Sequence, residues 1–190
     1  LSLALAAYRG MDQRGLRRLG VGALLHEVGK TTLPRSILRK PGPLSEAERA
    51  RVREYPRAGC ELVAESGHVH SESLEVIRLH RERRDGSGYP RGLQGEGIPQ
   101  QALIAGLADV YDTMTSKRPR VVAPDRALNE LHSEWTGQFG AELVQGFIRC
   151  LGIFPVGSVV ELDNGARVVV VGARPGRGLW PTVLMVRTPA

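Results

Sequence analysis

The sequence predicts a mainly α-helical domain followed by a small β appendage. Three observations lead there. Apolar residues recur at helical spacing through most of residues 1–151. At Gly152 that period gives way to short β-type runs. Two of those runs flank Asp163-Asn164-Gly165, a hairpin signal because Asn and Gly tolerate positive φ. The expected division is a helical domain over 1–151 and a hairpin or three-stranded extension over 152–190.

The elements follow in order. Residues 1–9 and 13–28 carry helical patterns separated by Gly10, the second with a stripe of Leu16, Leu19, Val21, Leu24 and Leu25. That helix runs into His26 and ends near Gly29. Residues 31–43 hold three prolines and read as loop, with one helical turn around Ile37. Ser45-x-x-Glu48 is a capping box that opens a helix ending near Tyr55-Pro56. Residues 57–66 continue as a further helix. Residues 72–83 form an amphipathic helix with Leu74, Ile77 and Leu79 inside. Five glycines and two prolines make 85–99 a long loop. Pro99 suits the first turn of a helix through Thr115. Asp125 is expected to cap a helix to Glu134, and Ala141–Leu151 form the last one. Ser158–Leu162, Ala166–Val171 and Trp180–Val186 are the expected strands.

Composition narrows the function classes. With 42% hydrophobic and 24% charged residues the chain is globular. Its apolar runs fall far short of the ~20 residues that span a bilayer. Of 26 basic residues 23 are Arg, giving a net charge of +6. They are scattered without interleaved aromatics, so nucleic acid is not an expected partner. Cys60 and Cys150 lack CxxC spacing, and two reduced thiols fit a cytoplasmic setting. Leu1 is not a start methionine and the chain opens directly in a helical pattern. The expectation is a piece of a longer protein.

The chemistry lies in a dispersed constellation. HEVGK at 26–30 and HRERRDGSGYP at 80–90 place an imidazole near the end of each of two helices. Asp109 lies within an apolar helical run, where a carboxylate is costly unless paired or ligated. A divalent metal site needs such groups projecting from different helices into one pocket. His68, His70 and His132 show no such pattern.

The ordered set LLHEVGK, LPRSILRKPGPLSEAERARVREYPRAGCELV, LHRERRDGSGYPRGLQGEGIP and GLADVYDTMTSKRPR resembles the HD-GYP family over roughly residues 5–150. The segment FIRCLGIFPVGSVVELDNGARVVVV is similar to the extension that follows many such domains. The resemblance implies an all-helical HD-superfamily domain that hydrolyses cyclic di-GMP with two or three iron- or manganese-type ions. It further implies His26, the position of Glu27, His80 and Asp109 as metal ligands. Lys30 and Arg118 would contact substrate, and the Gly88-Tyr89-Pro90 loop would dock partners such as GGDEF-domain diguanylate cyclases. Arg84 is a further cation within reach of phosphates.

Three of the six ligand positions depart from the family pattern. Glu27 replaces Asp and moves its carboxylate by roughly 1.5 Å, against a tolerance of about 0.2 Å in ligand distance. Tyr55 replaces a His, and a phenol with pKa near 10 is a poor ligand for Mn or Fe(II). Arg81 replaces a His with a permanent cation that has no lone pair. The expected consequence is that Arg81 stands in for a metal and pairs with Asp109 or Glu27. The alternative is that Arg81 turns to solvent while His26, Glu27, His80 and Asp109 hold one Fe or Mn ion at reduced occupancy. Function is accordingly expected to be cyclic di-GMP signalling with weakened or lost hydrolysis. The alternative there is a non-catalytic module that binds cyclic di-GMP or a GGDEF partner.

Overall fold

The computed structural model describes residues 1–116, 121–152, 154–172 and 181–187. The chain divides into two compact units, Leu1–Ala108 and Asp109–Ala190. The division falls inside one continuous helix.

The first unit contains α1 (Ser2–Tyr8), α2 (Gln13–Leu25), a 3-10 turn (Val28–Thr32), α3 (Arg35–Leu38), α4 (Glu46–Arg53), α5 (Tyr55–Ala64), α6 (Ser71–Leu79) and the first part of α7 (Gln100–Ser116). Asp12 caps α2 by accepting from the Gly15 amide at 2.8 Å. Ser45 and Glu48 form the expected reciprocal capping box on α4. α6 packs against α2 and α5. Leu19, Tyr55, Val76, Ile77 and Leu79 fill the space between them.

Three details differ from expectation. The break near Tyr55 falls one residue earlier, so that Tyr55 and Pro56 open α5; proline is tolerated there because first-turn amides lack helical partners anyway. α6 stops at Leu79 with His80 as its C-cap, which frees residues 81–83 to turn into the glycine-rich loop. Val76 takes the fully buried place, while Leu74 is half-buried.

The 3-10 turn after α2 lies directly on α5. An added Cβ at Gly29 would stand 1.9 Å from the Tyr55 carbonyl oxygen, and one at Gly59 would stand 2.8 Å from the Gly29 nitrogen. Two missing side chains therefore allow backbone to meet backbone. The same contact fixes where His26, Glu27 and Lys30 sit relative to Tyr55.

The second unit holds the end of α7, then α8 (Pro124–Glu134), α9 (Thr136–Phe139), α10 (Ala141–Leu151) and a small sheet. Asp125 does not cap α8: Ala123 is the N-cap, Pro124 opens the helix, and Asp125 adds a favourable charge to its first turn. The α9 turn was not legible as a separate element. Tyr111 and Phe147 meet edge to face at 5.3 Å. Burial pushes the Tyr111 hydroxyl up to about 12, with the Asp125 charge adding to it.

Strands β1 (Val159–Glu161), β2 (Arg167–Gly172) and β3 (Thr182–Arg187) form an antiparallel sheet in the order β1-β2-β3. Val160 faces Val168 and Val169 faces Leu184 across the ladders. In the hairpin only Gly165 takes positive φ, at 79°, and the Asn164 side chain instead accepts from the Ala166 amide. Among the described residues no helix is long and apolar enough to cross a membrane.

Gly29→Ala should destabilise the protein by about 3 kcal/mol or more, because backbone on the facing helix cannot yield. Gly137→Ala, whose Cβ would meet nothing within 4 Å, should change stability by less than about 1 kcal/mol. Urea unfolding of both variants checks the difference.

Candidate functional site

Three polar side chains, His80, Arg81 and Lys30, meet Tyr55 within the first unit. Tyr55 is the first residue of α5 and 1% exposed. His80, the C-cap of α6, is fully buried. The Tyr55 hydroxyl lies 2.8 Å from His80 Nε2, and Arg81 Nε donates to that hydroxyl at 2.8 Å. His80 Nδ1 lies 2.8 Å from the Ile77 carbonyl oxygen.

These contacts fix the hydrogens. A carbonyl only accepts, so His80 Nδ1 carries the hydrogen. The Tyr55 oxygen accepts from Arg81, so its own hydrogen turns to His80 Nε2. The result is one directed chain, Arg81 to Tyr55 to His80 to Ile77. The His80 lone pair that a metal would need is engaged by a phenol.

A second group forms on the neighbouring turn. Lys30 Nζ pairs with Glu27 Oε1, and Arg81 Nη2 reaches the same oxygen at 3.6 Å. Lys30 Nζ also lies 5.4 Å from the centre of the Tyr55 ring, and the Arg81 guanidinium carbon 6.0 Å from it. Arg81 thus spans both groups, with its side chain 20% exposed. It does not turn to solvent. His26 Nδ1 donates to the Ala23 carbonyl at 2.6 Å, and its ring meets that of His80 edge to face at 4.9 Å.

Asp109 is 8% exposed and follows Ala108 on the continuous α7. In the first unit His26 and Glu27 offer an imidazole and a carboxylate, donors with the chemistry for a divalent cation. Such an ion would compete with Lys30 and Arg81 for Glu27. His80 does not join that set, since Tyr55 stands on its Nε2. The residues present therefore do not fit a bridged metal pair, because its second half is built from a phenol and a guanidinium. Arg118 lies outside the described residues.

The glycine-rich loop is anchored from below by a residue that sequence reading passed over. Glu82 is 1% exposed. Its two carboxylate oxygens accept from the Arg91 and Leu93 amides at 2.7 and 2.9 Å. Gly88 lies on the 81–83 backbone so closely that a Cβ would stand 2.3 Å from the Arg83 nitrogen. The Tyr89 amide donates to the Arg81 carbonyl at 3.2 Å. The Asp85 carboxyl is held below the usual carboxylate range by the Ser87 hydroxyl and then the Ser87 amide. Gly88, Tyr89 and Pro90 are each half-buried. The run HRERRDG gave no sign that Glu82, flanked by arginines, would face inward.

The chain belongs to the HD domain family, whose model matches residues 1–143, and within it to the HD-GYP group. It is similar to the cyclic di-GMP phosphodiesterase PA4108 of Pseudomonas aeruginosa, at 36% identity over 181 residues, covering 94% of this chain and 43% of that one. It is also similar to the cyclic di-GMP phosphodiesterase response regulator RpfG of Xanthomonas campestris, at 39% identity over 143 residues, 74% of this chain and 38% of that one. The chain thus spans about two fifths of the length of these curated relatives. Among solved structures, Bd1817, a HDG"Y"P protein from Bdellovibrio bacteriovorus, matches with a TM-score of 0.64 and 24% identity. That match covers 76% of this chain and 47% of the other, and shows the shared fold. The family's phosphodiesterases are metal-dependent.

Tyr55→Phe removes the hydroxyl that joins Arg81 to His80 and leaves a buried imidazole nitrogen without it. The variant should lose about 1–3 kcal/mol of stability, read from urea unfolding.

Proposed function

We propose that this chain is a cyclic di-GMP signalling module of the HD-GYP type in which hydrolysis is weakened or lost. The observation that carries this reading is the directed chain from Arg81 through Tyr55 to His80. Family catalysis relies on a metal-activated hydroxide attacking phosphorus, with metal charge stabilising the transition state. Three of the residues at ligand positions, Arg81, Tyr55 and His80, are here joined in one hydrogen-bonded chain through Tyr55. Loss of the bridged pair removes the source of the nucleophile and should cost several orders of magnitude in rate.

Ligand recognition survives in this reading. Lys30 sits at the position that the resemblance assigns to phosphate contact, and Arg118 at that of a second substrate contact. The relatives' names give cyclic di-GMP as their substrate, which supports the same nucleotide here. Residual metal, in this reading, is a single Fe or Mn ion at His26 and Glu27, at reduced occupancy. The loop at Gly88-Tyr89-Pro90, held by Glu82, is the surface we assign to a GGDEF-type partner. The setting is cytoplasmic, in keeping with the unbridged Cys60 and Cys150.

Incubation with cyclic di-GMP, with and without Mn or Fe(II), tests the reading. Binding with turnover no greater than the metal-free control is expected; turnover well above that control would sink the loss of hydrolysis. The combined reversion Glu27→Asp, Tyr55→His and Arg81→His should raise metal content from at most one to about two ions per chain, measured by elemental analysis.

A further inference from the structure

We propose that Lys30 and Arg81 form a metal-independent phosphate clamp, and that Glu27 is the internal anion that occupies it when no ligand is bound. This inference rests on the cyclic-dinucleotide reading above and names how its site holds a phosphodiester without metal.

The geometry carries the argument. Lys30 and Arg81 both reach one oxygen, Glu27 Oε1. Two cations that share a single carboxylate oxygen are close enough to share a single phosphate group. Both also lie over the face of the same tyrosine ring. The three side chains are 20–34% exposed, so an anion from solvent can reach them. Arg81 is oriented by its Nε bond to Tyr55, which is itself fixed by His80. That leaves the outer edge of the guanidinium turned toward Glu27, the edge that binds phosphate in a forked geometry.

The internal anion is already of the right kind: a single carboxylate oxygen, Glu27 Oε1, faces both cations. A phosphodiester that displaces the Glu27 carboxylate exchanges one anion for another and leaves both cations paired. A guanidinium at a position where the family resemblance places a metal ligand thus supplies cationic charge without a metal ion. The Glu27 side chain, one methylene longer than Asp, is what reaches the two cations.

The clamp and a metal site predict opposite effects for one substitution. Removing the Glu27 charge removes a ligand from a metal site, but removes a competitor from the clamp. Titration calorimetry of the chain with cyclic di-GMP in excess EDTA, alongside Mn, reads both. Expected results are binding in EDTA equal to that in Mn within about twofold, binding at least as tight for Glu27→Gln, and about tenfold or greater weakening for Arg81→Met and for Lys30→Met. Affinity should also fall as salt rises.

Abolition of binding by EDTA, or by Glu27→Gln, overturns the clamp. So does unchanged affinity in Arg81→Met. Should Arg81→Met fail to fold, Glu27→Gln decides alone, since it keeps the shape of the side chain. A parallel titration with inorganic pyrophosphate separates the two readings. Arg81-dependent binding of pyrophosphate without binding of cyclic di-GMP upholds the clamp and sinks the nucleotide assignment. Cyclic di-GMP binding that ignores Arg81 does the reverse.

Discussion

The site depends on one close approach of backbone to backbone. The turn that follows α2 rests on the first residues of α5 through Gly29 and Gly59, with no side chain between them. That contact places Glu27 and Lys30 beside the Tyr55 ring. Larger residues at either glycine would push the turn away and open the cluster. The turn is short and 3-10 in form, so its side chains have little freedom to reach the ring from any other position.

The second constraint is electrostatic. Arginine at a half-buried position needs partners for its fork of donors, and it cannot lose its charge. Here Tyr55 takes the Nε hydrogen and Glu27 faces an outer nitrogen. Tyr55 in turn satisfies the buried His80. Each departure from the family pattern thus answers another. A lone Arg at position 81 would crowd an intact metal site, and a lone Tyr at position 55 would compete with a metal for the His80 Nε2 lone pair. Together they form a closed set that holds its shape through hydrogen bonds.

Loop and site are built from the same short segment. Residues 80–83 leave α6 and supply, in succession, His80 and Arg81 to the cluster and Glu82 to the loop. The Arg81 carbonyl meanwhile receives the Tyr89 amide. A ligand that shifted Arg81 would pull on a backbone that also carries the Gly-Tyr-Pro loop. This offers a physical route between the cluster and the Gly88-Tyr89-Pro90 loop.

Much of the fold was readable before any coordinates. The capping box at Ser45, the α10 boundaries at Ala141 and Leu151, and the three strands follow from spacing and turn residues, because those signals are local. The family also followed from sequence, since HEVGK and RRDGSGYP hold their residues in fixed order. The roles of Glu27, Tyr55 and Arg81 did not. Sequence showed that they depart from the pattern and offered two fates for Arg81, inward or toward solvent. Only the tertiary structure decided between them, by joining positions 27, 55 and 81 around one ring. Glu82 makes the same point. Its neighbours in sequence are charged, but its partners are amides 9 and 11 residues away along a folded loop. Hydrogen bonds to distant backbone leave no periodic trace in a sequence, whereas a helix stripe or a cap does.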